Sequence, residues 1–543
     1  MTRHDVDIAI IGSGFSGSIL AMIARRLGRT VALIERGHHP RFAIGESSTP
    51  LASLLLESIA RTYDLPQLLP FTKYGAWKRA HADIGCGLKR GFSFFRHETG
   101  APFVADSAHG NQLLVAASPN DDIGDVHWYR PDFDHFLVRE AIALDVDYID
   151  GVSLSSITPA SAGSVLVGRR ESPVAHGRAV QGDADEVLIS ARLVVDASGP
   201  RGFLHSQLGL GERTLPGLPG TQALYSHFTG VKPFCDVVPA AFTETTSSAL
   251  PYPPDAAAVH HVFDGGWIWV LHFDNGITSA GAAVTDSLAR ELRLSDGAEA
   301  WARLMARVPS VGDQFGKAVP TRAFIHVPCL SFLSDAVAGN GWVMLPSAAG
   351  IVDPLLSTGF PLTLLGVERV AAVIADAWDS PALADRLSAY AQRTTSELET
   401  TARVVGALYD AFGDWERFTA LSHLYFAAAS FAESARRLAP NSAIGAAFLL
   451  GDNQTFAVGL ARCLDLARAV NTGAKGARGA LLEAISATVE PVNVAGLNSA
   501  ARRNWYPCAA DDLLAGAAKL NAGESEVLAM LERCGFTPRR AEV

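Results

Sequence analysis

Four stretches of this chain carry residue types whose spacing could do chemistry. Gly12-Ser13-Gly14-Phe15-Ser16-Gly17 follows an apolar run (6–11) and precedes residues 19–27, which read as a helix. A second apolar run, 30–34, ends on Glu35, 23 residues beyond Gly12. Strand, glycine turn, helix, strand, acid is the dinucleotide-binding pattern. Gly12 makes the tight turn, Gly14 lets a pyrophosphate approach the backbone, and Gly17 lets the helix pack on the strand. The helix N-terminus offers N–H groups and a positive dipole end to phosphates, and Glu35 would accept hydrogen bonds from ribose hydroxyls. The second stretch is Ser357-Thr358-Gly359, ahead of the helical run 360–378 with Pro361 in its first turn. Small polar residues there fit an exposed helix N-terminus able to bind an anion; a capped helix making an ordinary cofactor contact fits as well. In the third, 267–272, a regular strand puts Trp267, Trp269 and Leu271 on one face and Ile268, Val270 and His272 on the other. Alone, these are the core tryptophans of a sheet. The fourth is Lys89 in Gly87-Leu88-Lys89-Arg90-Gly91-Phe92-Ser93-Phe94; a lone lysine is ordinarily a solvated surface charge.

The elements that must position these residues can be read in outline. Residues 51–63 have helical spacing. The stretch 71–95 breaks into short glycine-punctuated runs, expected as strands and bends of an inserted sheet, and 97–127 is polar and Pro/Gly-rich, expected as a loop or lid. Pro131 suits the first turn of a helix over 134–144. Residues 147–157 and 164–167 are strand-like, and 193–200 is a buried strand ending in a second turn at Asp196 and Gly199. Turns at Asp264-Gly265-Gly266 and Asp274-Asn275-Gly276 mark a meander within 223–284. A last buried strand, 341–345, leads to Asp353 and the helix 360–378. Beyond 379 the chain is Ala-rich with helical spacing and few strand signals.

Length, 543 residues, suggests two to four domains. A formal net charge of −11 argues against a nucleic-acid partner. The six cysteines show no metal-ligand spacing, so no metal is expected, and they read as reduced thiols of a cytoplasmic protein. No signal peptide precedes the first strand, and no uncharged apolar run reaches the length of a membrane helix.

The loop His39-Pro40-Arg41-Phe42-Ala43-Ile44-Gly45-Glu46-Ser47-Ser48-Thr49-Pro50 resembles that of the flavin-dependent halogenases, of form Pro-Arg-x-x-Ile-Gly-Glu-Ser. The segments 87–94, 129–134, 230–234, 263–270 and 309–315 extend the likeness over roughly residues 5–370, nearest the pyrrolnitrin-pathway branch that chlorinates an aminophenyl-pyrrole. The resemblance implies an α/β fold: an FAD-binding Rossmann-like domain of the glutathione-reductase/hydroxylase type over 1–375. Substrate-sheet regions would be inserted at about 71–127 and 220–330, with a helical C-terminal region over 376–543. It implies FAD, used as FADH2, with chloride or bromide and O2. Cofactor contacts would come from Gly12, Gly14, Phe15, Ser16, Gly17, Glu35, Arg36, Arg41, Gly45, Glu46, Ser47, Arg130, Asp196, Gly199, Asp353 and Gly359.

In that family a flavin C4a-hydroperoxide is attacked by halide, and hypohalous acid travels to a lysine. The resemblance makes Lys89 that lysine, places halide on the backbone of Thr358 and Gly359, and makes Trp267 and Trp269 the wall separating substrate from flavin. Two positions depart from the family pattern. Leu271-His272 stands for Ile-Pro, and Leu356 stands where tryptophan halogenases carry Glu, which argues against free tryptophan as substrate. The expected reaction is halogenation of an electron-rich small aromatic such as a pyrrole, phenol or aniline. No second strand–GxGxxG–helix unit appears, so a separate flavin reductase is the expected partner. An FAD monooxygenase or dehydrogenase, or a non-catalytic flavoprotein, are the alternatives.

Overall fold

The computed structural model describes residues 1–106, 108–160, 163–170, 174–175, 178–179, 186–242, 250–439 and 446–536. Its first sheet is built from strands apolar on both faces, as parallel strands under helices must be. Ile8-Ala9-Ile10-Ile11, Val31–Ile34 and Leu193-Val194-Val195 are essentially solvent-free. Across this sheet the order is Ala338–Gly339, Trp342–Met344, Glu186–Asp196, Thr2–Ile11, Val31–Ile34, Asp147–Ile149. Thr2–Ile11 pairs in parallel with both Glu186–Asp196 and Val31–Ile34. The helix Phe15–Arg26 leaves the turn at Gly14 and packs back onto the sheet. A Cβ at Gly17 would stand 2.0 Å from the Gly12 carbonyl oxygen, so only glycine permits that approach.

The second sheet runs in the order Val319–Pro320, Thr221–Thr229, Thr278–Thr285, Gly266–His272, Ala258–Phe263, Gly91–Arg96, Gln112–Ala116, Trp505–Tyr506. It separates two cores. Trp267, Trp269 and Leu271 belong to the large one shared with the nucleotide sheet and the C-terminal helices. Ile268 and Val270 face a smaller one, closed by residues of the helices Asp286–Leu292 and Ala298–Arg307.

Three expectations are corrected. Residues 71–85 are not sheet: Pro66–Thr72 is a 3-10 helix and Tyr74–Ala80 an α-helix. The stretch 97–127 is more than a loop or lid, since it contributes Gln112–Ala116 to the second sheet and Asp125–Trp128 to a two-stranded ribbon with Cys86–Lys89. The C-terminal third is helical in the main, with Leu383–Tyr409 and Trp415–Leu438 its longest helices, but it also returns Trp505–Tyr506 to the edge of the second sheet. Buried ion pairs tie these helices to Gly359–Ala377: Arg369 with Glu397 at 2.7 Å and Arg436 with Glu368 at 3.0 Å. Among the described residues no helix is long and apolar enough to cross a membrane.

Candidate active site

The nucleotide turn is shaped by what glycine leaves open. Gly12 has φ +99°, and a Cβ there would strike the Ala197 carbonyl at 2.6 Å. A Cβ on Gly14 would stand 3.3 Å from Arg130 Nη2 and 3.9 Å from Arg41 Nη2. Two guanidiniums therefore converge on the helix N-terminus, which carries no side-chain cap. Asp134 Oδ2 stands 3.8 Å from the same Cβ position, and the arrangement is one that could hold an anion such as a pyrophosphate. Arg130 is itself buried, with Nε and Nη2 each 2.7 Å from a separate oxygen of Asp134 and Nη1 donating to the Gly45 carbonyl at 2.9 Å. It pins the loop 41–50 to the helix Arg130–Ala143. Phe15 stacks on Phe360 with centroids 4.8 Å apart, joining the starts of two helices.

Glu35 ends its strand as expected, with its carboxylate already engaged. Ser13 N–H and Oγ and Arg41 Nη2 donate to Oε2, and Gly37 N–H donates to Oε1. Burial alone would raise its pKa, but the Arg41 charge and these donors hold it down to about 2. Ser16 is buried in the first turn of its helix, while Arg36 is exposed. Gly199 has φ +93° in the turn after the strand Glu186–Asp196. Asp196 is solvent-free and committed to the protein, accepting from Ser198 N–H and Oγ and from Leu204 N–H. It holds the start of the short helix Phe203–Gln207.

The second cluster brings together segments far apart in sequence. Lys89 is fully buried. Its Nζ donates to Ser47 Oγ at 2.9 Å, to the Ser48 carbonyl at 2.6 Å and to Ser357 Oγ at 3.4 Å. Ser357 Oγ in turn lies 3.2 Å from Ser47 Oγ. The ammonium also lies 3.9 Å from the centroid of the Phe92 ring. Burial pushes the lysine pKa well below its usual value, against the pull of Asp125. Ser357 has φ +53° and leads into the helix Gly359–Ala377, whose N-terminus no side chain caps. Glu46, from the same loop as Ser47, accepts from His227 Nε2 at 2.9 Å across the second sheet.

The tryptophan face lies against this cluster. Trp267 Nε1 donates to Tyr409 Oη at 3.1 Å, and Tyr409 Oη donates to Asp353 Oδ2 at 2.8 Å. Asp353 Oδ1 accepts from Leu355 N–H. Burial raises the Asp353 pKa to about 7. Its carboxylate thus fixes the loop before Ser357 to the sheet and to the helix Leu383–Tyr409. Trp269 Nε1 donates to Ser279 Oγ at 3.4 Å. The strand continues through His272, which pairs with Thr278.

A cavity of about 160 Å³ is lined by Phe92 and Asp125, the two neighbours of Lys89, while Lys89 itself lies behind them and does not line it. Its inner wall includes Thr49, Phe92, Asp125 and Pro361, and its outer wall Tyr425, Phe426, Glu433, Arg437 and Tyr506. Tyr425 Oη donates to the Leu356 carbonyl at 2.9 Å, so the long helix Trp415–Leu438 touches the loop before Ser357. Sequence reasoning missed Asp125, Tyr409, Tyr425 and Glu433. The alternation of Asp125 and His127 with Val126 and Trp128 was the signal available for the first.

The tryptophan halogenase family model matches residues 127–416. The chain is 29% identical over 432 residues to the monodechloroaminopyrrolnitrin halogenase PrnC of Pseudomonas fluorescens, covering 78% of this chain and 71% of that one. It is 28% identical over 374 residues to the tetracycline 7-halogenase of Kitasatospora aureofaciens, covering 67% and 62% of the respective chains. Its fold matches the crystal structure of halogenase PltM in complex with phloroglucinol and FAD with a TM-score of 0.75, at 21% identity over 89% of this chain and 95% of that one. With the match spanning more than half its length, this chain belongs to the tryptophan halogenase family.

Proposed function

We propose that the protein is an FADH2-dependent halogenase that places chlorine or bromine on an electron-rich, single-ring aromatic. The observation that carries this is Lys89: a fully buried lysine held by Ser47, Ser48 and Ser357, where the loop 41–50 meets the start of the helix Gly359–Ala377, with its neighbours Phe92 and Asp125 lining a cavity. The residues fit FAD. Gly12, Gly14 and Gly17 leave room for a pyrophosphate that Arg41 and Arg130 neutralise, and Glu35 takes the ribose. Gly45 and Ser47, on the same loop as Arg41, would add further contacts to the cofactor. Bound and reduced, the flavin supplies the electrons with which O2 turns halide into hypohalous acid.

The chain's own residues then divide the work. The uncapped first turn after Ser357 offers the N–H groups of Thr358 and Gly359 to halide. Lys89 receives the electrophile in a dry site, where an ammonium polarises the O–halogen bond more strongly than it would in water. Trp267 and Trp269 form an aromatic wall that keeps a substrate ring away from the flavin side, held in place by Tyr409 and Asp353. A phenol, aniline or pyrrole is the substrate class, in keeping with the phloroglucinol bound by PltM and with a relative named as a 1H-pyrrole-2-carbonyl-[peptidyl-carrier protein] chlorinase. Leu356, with no acidic group, argues against free tryptophan. FADH2 comes from a separate reductase.

The test is incubation of the pure protein with FAD, a flavin reductase, chloride or bromide, O2 and a panel of phenols, anilines and pyrroles, read by mass spectrometry. Halogenated product from wild type and none from Lys89→Ala is expected. Oxygenated product without halogen would overturn the reading in favour of a monooxygenase.

A further inference from the structure

The ribbon that presents Lys89 also presents an acid. Cys86–Lys89 and Asp125–Trp128 pair antiparallel with Lys89 directly opposite Asp125, so both side chains project from the same face. The two form no ion pair: all three Lys89 donors go to Ser47, Ser48 and Ser357. Asp125 is 6% exposed and lines the cavity; Ser53 beside it stabilises its charge, and its Oδ2 has no partner at hydrogen-bond distance. A buried carboxylate oxygen without a partner is costly to keep, and this one faces the space where a substrate ring would lie. The other carboxylate on the cavity wall, Glu433, is held by Arg437 at 2.8 Å. Leu356, in the loop before Ser357, carries no base.

We propose that Asp125 is the catalytic base that removes the ring proton from the substrate once halogen has been added. This rests on the halogenase reading of the same site. The ring π electrons form the new C–halogen bond as the halogen–oxygen bond breaks, its electron pair staying on oxygen. Lys89 gives that oxygen a proton and it leaves as water. The proton on the halogenated carbon passes to Asp125 Oδ2, and the C–H electron pair restores the aromatic ring. A proton returning from Asp125 to Lys89 resets the site, so the sum is arene plus hypohalous acid giving haloarene plus water. Burial and the Glu433 charge raise the Asp125 pKa against the pull of Lys89, Ser53 and Arg437, while burial lowers that of Lys89. The two shifts bring donor and acceptor towards each other, which favours the reset.

The experiment compares ring-protiated with ring-deuterated resorcinol and aniline in wild type and Asp125→Asn. In wild type, deprotonation is fast and the deuterated ring reacts at the same rate. In Asp125→Asn, the rate falls about 10²–10⁴-fold, the usual worth of a positioned base, and a primary isotope effect appears. FAD affinity and Tm stay unchanged. Full activity in Asp125→Asn overturns the proposal. So does a slower reaction with no isotope effect, which marks a role through Lys89 or the fold. Should Asp125→Asn fail to fold, Asp125→Ala with added formate replaces it. Rate restored by formate supports the base, and no restoration overturns it. Wild type that halogenates neither ring, with chloride or bromide, takes down the halogenase reading itself. Lys89→Ala retaining activity while Asp125→Asn shows the isotope effect removes the lysine role and leaves the base standing.

Discussion

The glycine turn at 12–17 and the chamber around Lys89 both offer a place to a small charged group, but they are assembled in opposite ways. The turn is made mostly of backbone and lies with Glu35 inside one window of the chain, and Arg41 and Arg130 add charge from its rim. The chamber is made of side chains from the segments 46–49, 89–92, 125, 353–361, 409–437 and 506, and no short stretch contains it. A backbone site tolerates side-chain change outside its glycines and fails sharply at them. A side-chain site should lose its chemistry one residue at a time while the cofactor stays bound.

Gly14→Asp gives the largest expected effect. The new Cβ would stand within 3.3 Å of Arg130 Nη2 and place a carboxylate where the pyrophosphate passes. FAD binding and all turnover should be abolished, which flavin absorbance after desalting measures directly. Retained flavin would mean that the turn is not the phosphate site.

Lys89→Ala comes next and should separate the two regions. Halogenated product should fall about 10²–10⁴-fold, as for loss of a positioned electrophile, with FAD affinity unchanged in a fluorescence titration. Lys89→Arg should fail as well. A guanidinium is planar and stays protonated, and its fork does not reproduce the point donor that Ser47, Ser48 and Ser357 enclose. Near wild-type product from either variant would reduce Lys89 to a structural role.

The contrast also accounts for what the sequence disclosed. Gly12, Gly14, Gly17 and Glu35 were legible because the chemistry of a tight turn forces residue type and spacing together. Lys89 could be singled out only through resemblance, since nothing within four residues of it announces that it is buried. Asp125 was hidden because its alternating strand is only four residues long and follows a polar, Pro/Gly-rich stretch, so that 97–127 read as a loop. The helix Tyr74–Ala80 was misread because Gly75 and Trp77 look like turn and strand residues. At Gly75 a Cβ would stand 2.9 Å from the Asp122 backbone Cα, a packing constraint from 47 residues away. Asp196 and Asp353 were read as cofactor contacts by resemblance; their additional work inside the protein, accepting from Ser198, Leu204, Leu355 and Tyr409, carried no local sequence signal. The C-terminal helices were legible as helices from their composition. That Tyr409 and Tyr425 reach the loop before Ser357 was not, because the contacts span 56 and 69 residues.

Tyr409→Phe tests whether the chamber depends on that long-range support. It removes the donor to Asp353 and the acceptor for Trp267 Nε1, both buried. Leaving two such groups unpaired should cost about 1–3 kcal/mol of stability and lower the halogenation rate several-fold through a looser Ser357 loop, with FAD affinity retained. Thermal unfolding and single-turnover assays measure the two parts. Loss of FAD before loss of rate would show that the two regions are not independent.

The smallest effect belongs to the cradle and depends on pH. Glu35 has its folded pKa lowered from 4.5 to about 2, with burial opposed by Arg41, Gly37 and Ser13. A lowered pKa means that the unfolded chain binds the proton more readily, so stability from this group is complete above about pH 4.5. It is lost as pH falls towards 2. Glu35→Gln removes the charge but keeps the shape. Wild type should exceed it by about 1–3 kcal/mol at pH 6, taking the pKa shift and discounting it for partial solvent access. That gap should narrow steadily once pH drops below 4.5, because the unfolded wild-type chain then takes up the proton at Glu35 that the folded one refuses until about pH 2. The chamber variant Lys89→Ala, measured beside it, should show no such narrowing over the same interval, since Lys89 remains protonated throughout. A gap between wild type and Glu35→Gln that stays constant from pH 6 to 3 would mean that Arg41 and Ser13 do not hold this carboxylate as the geometry requires.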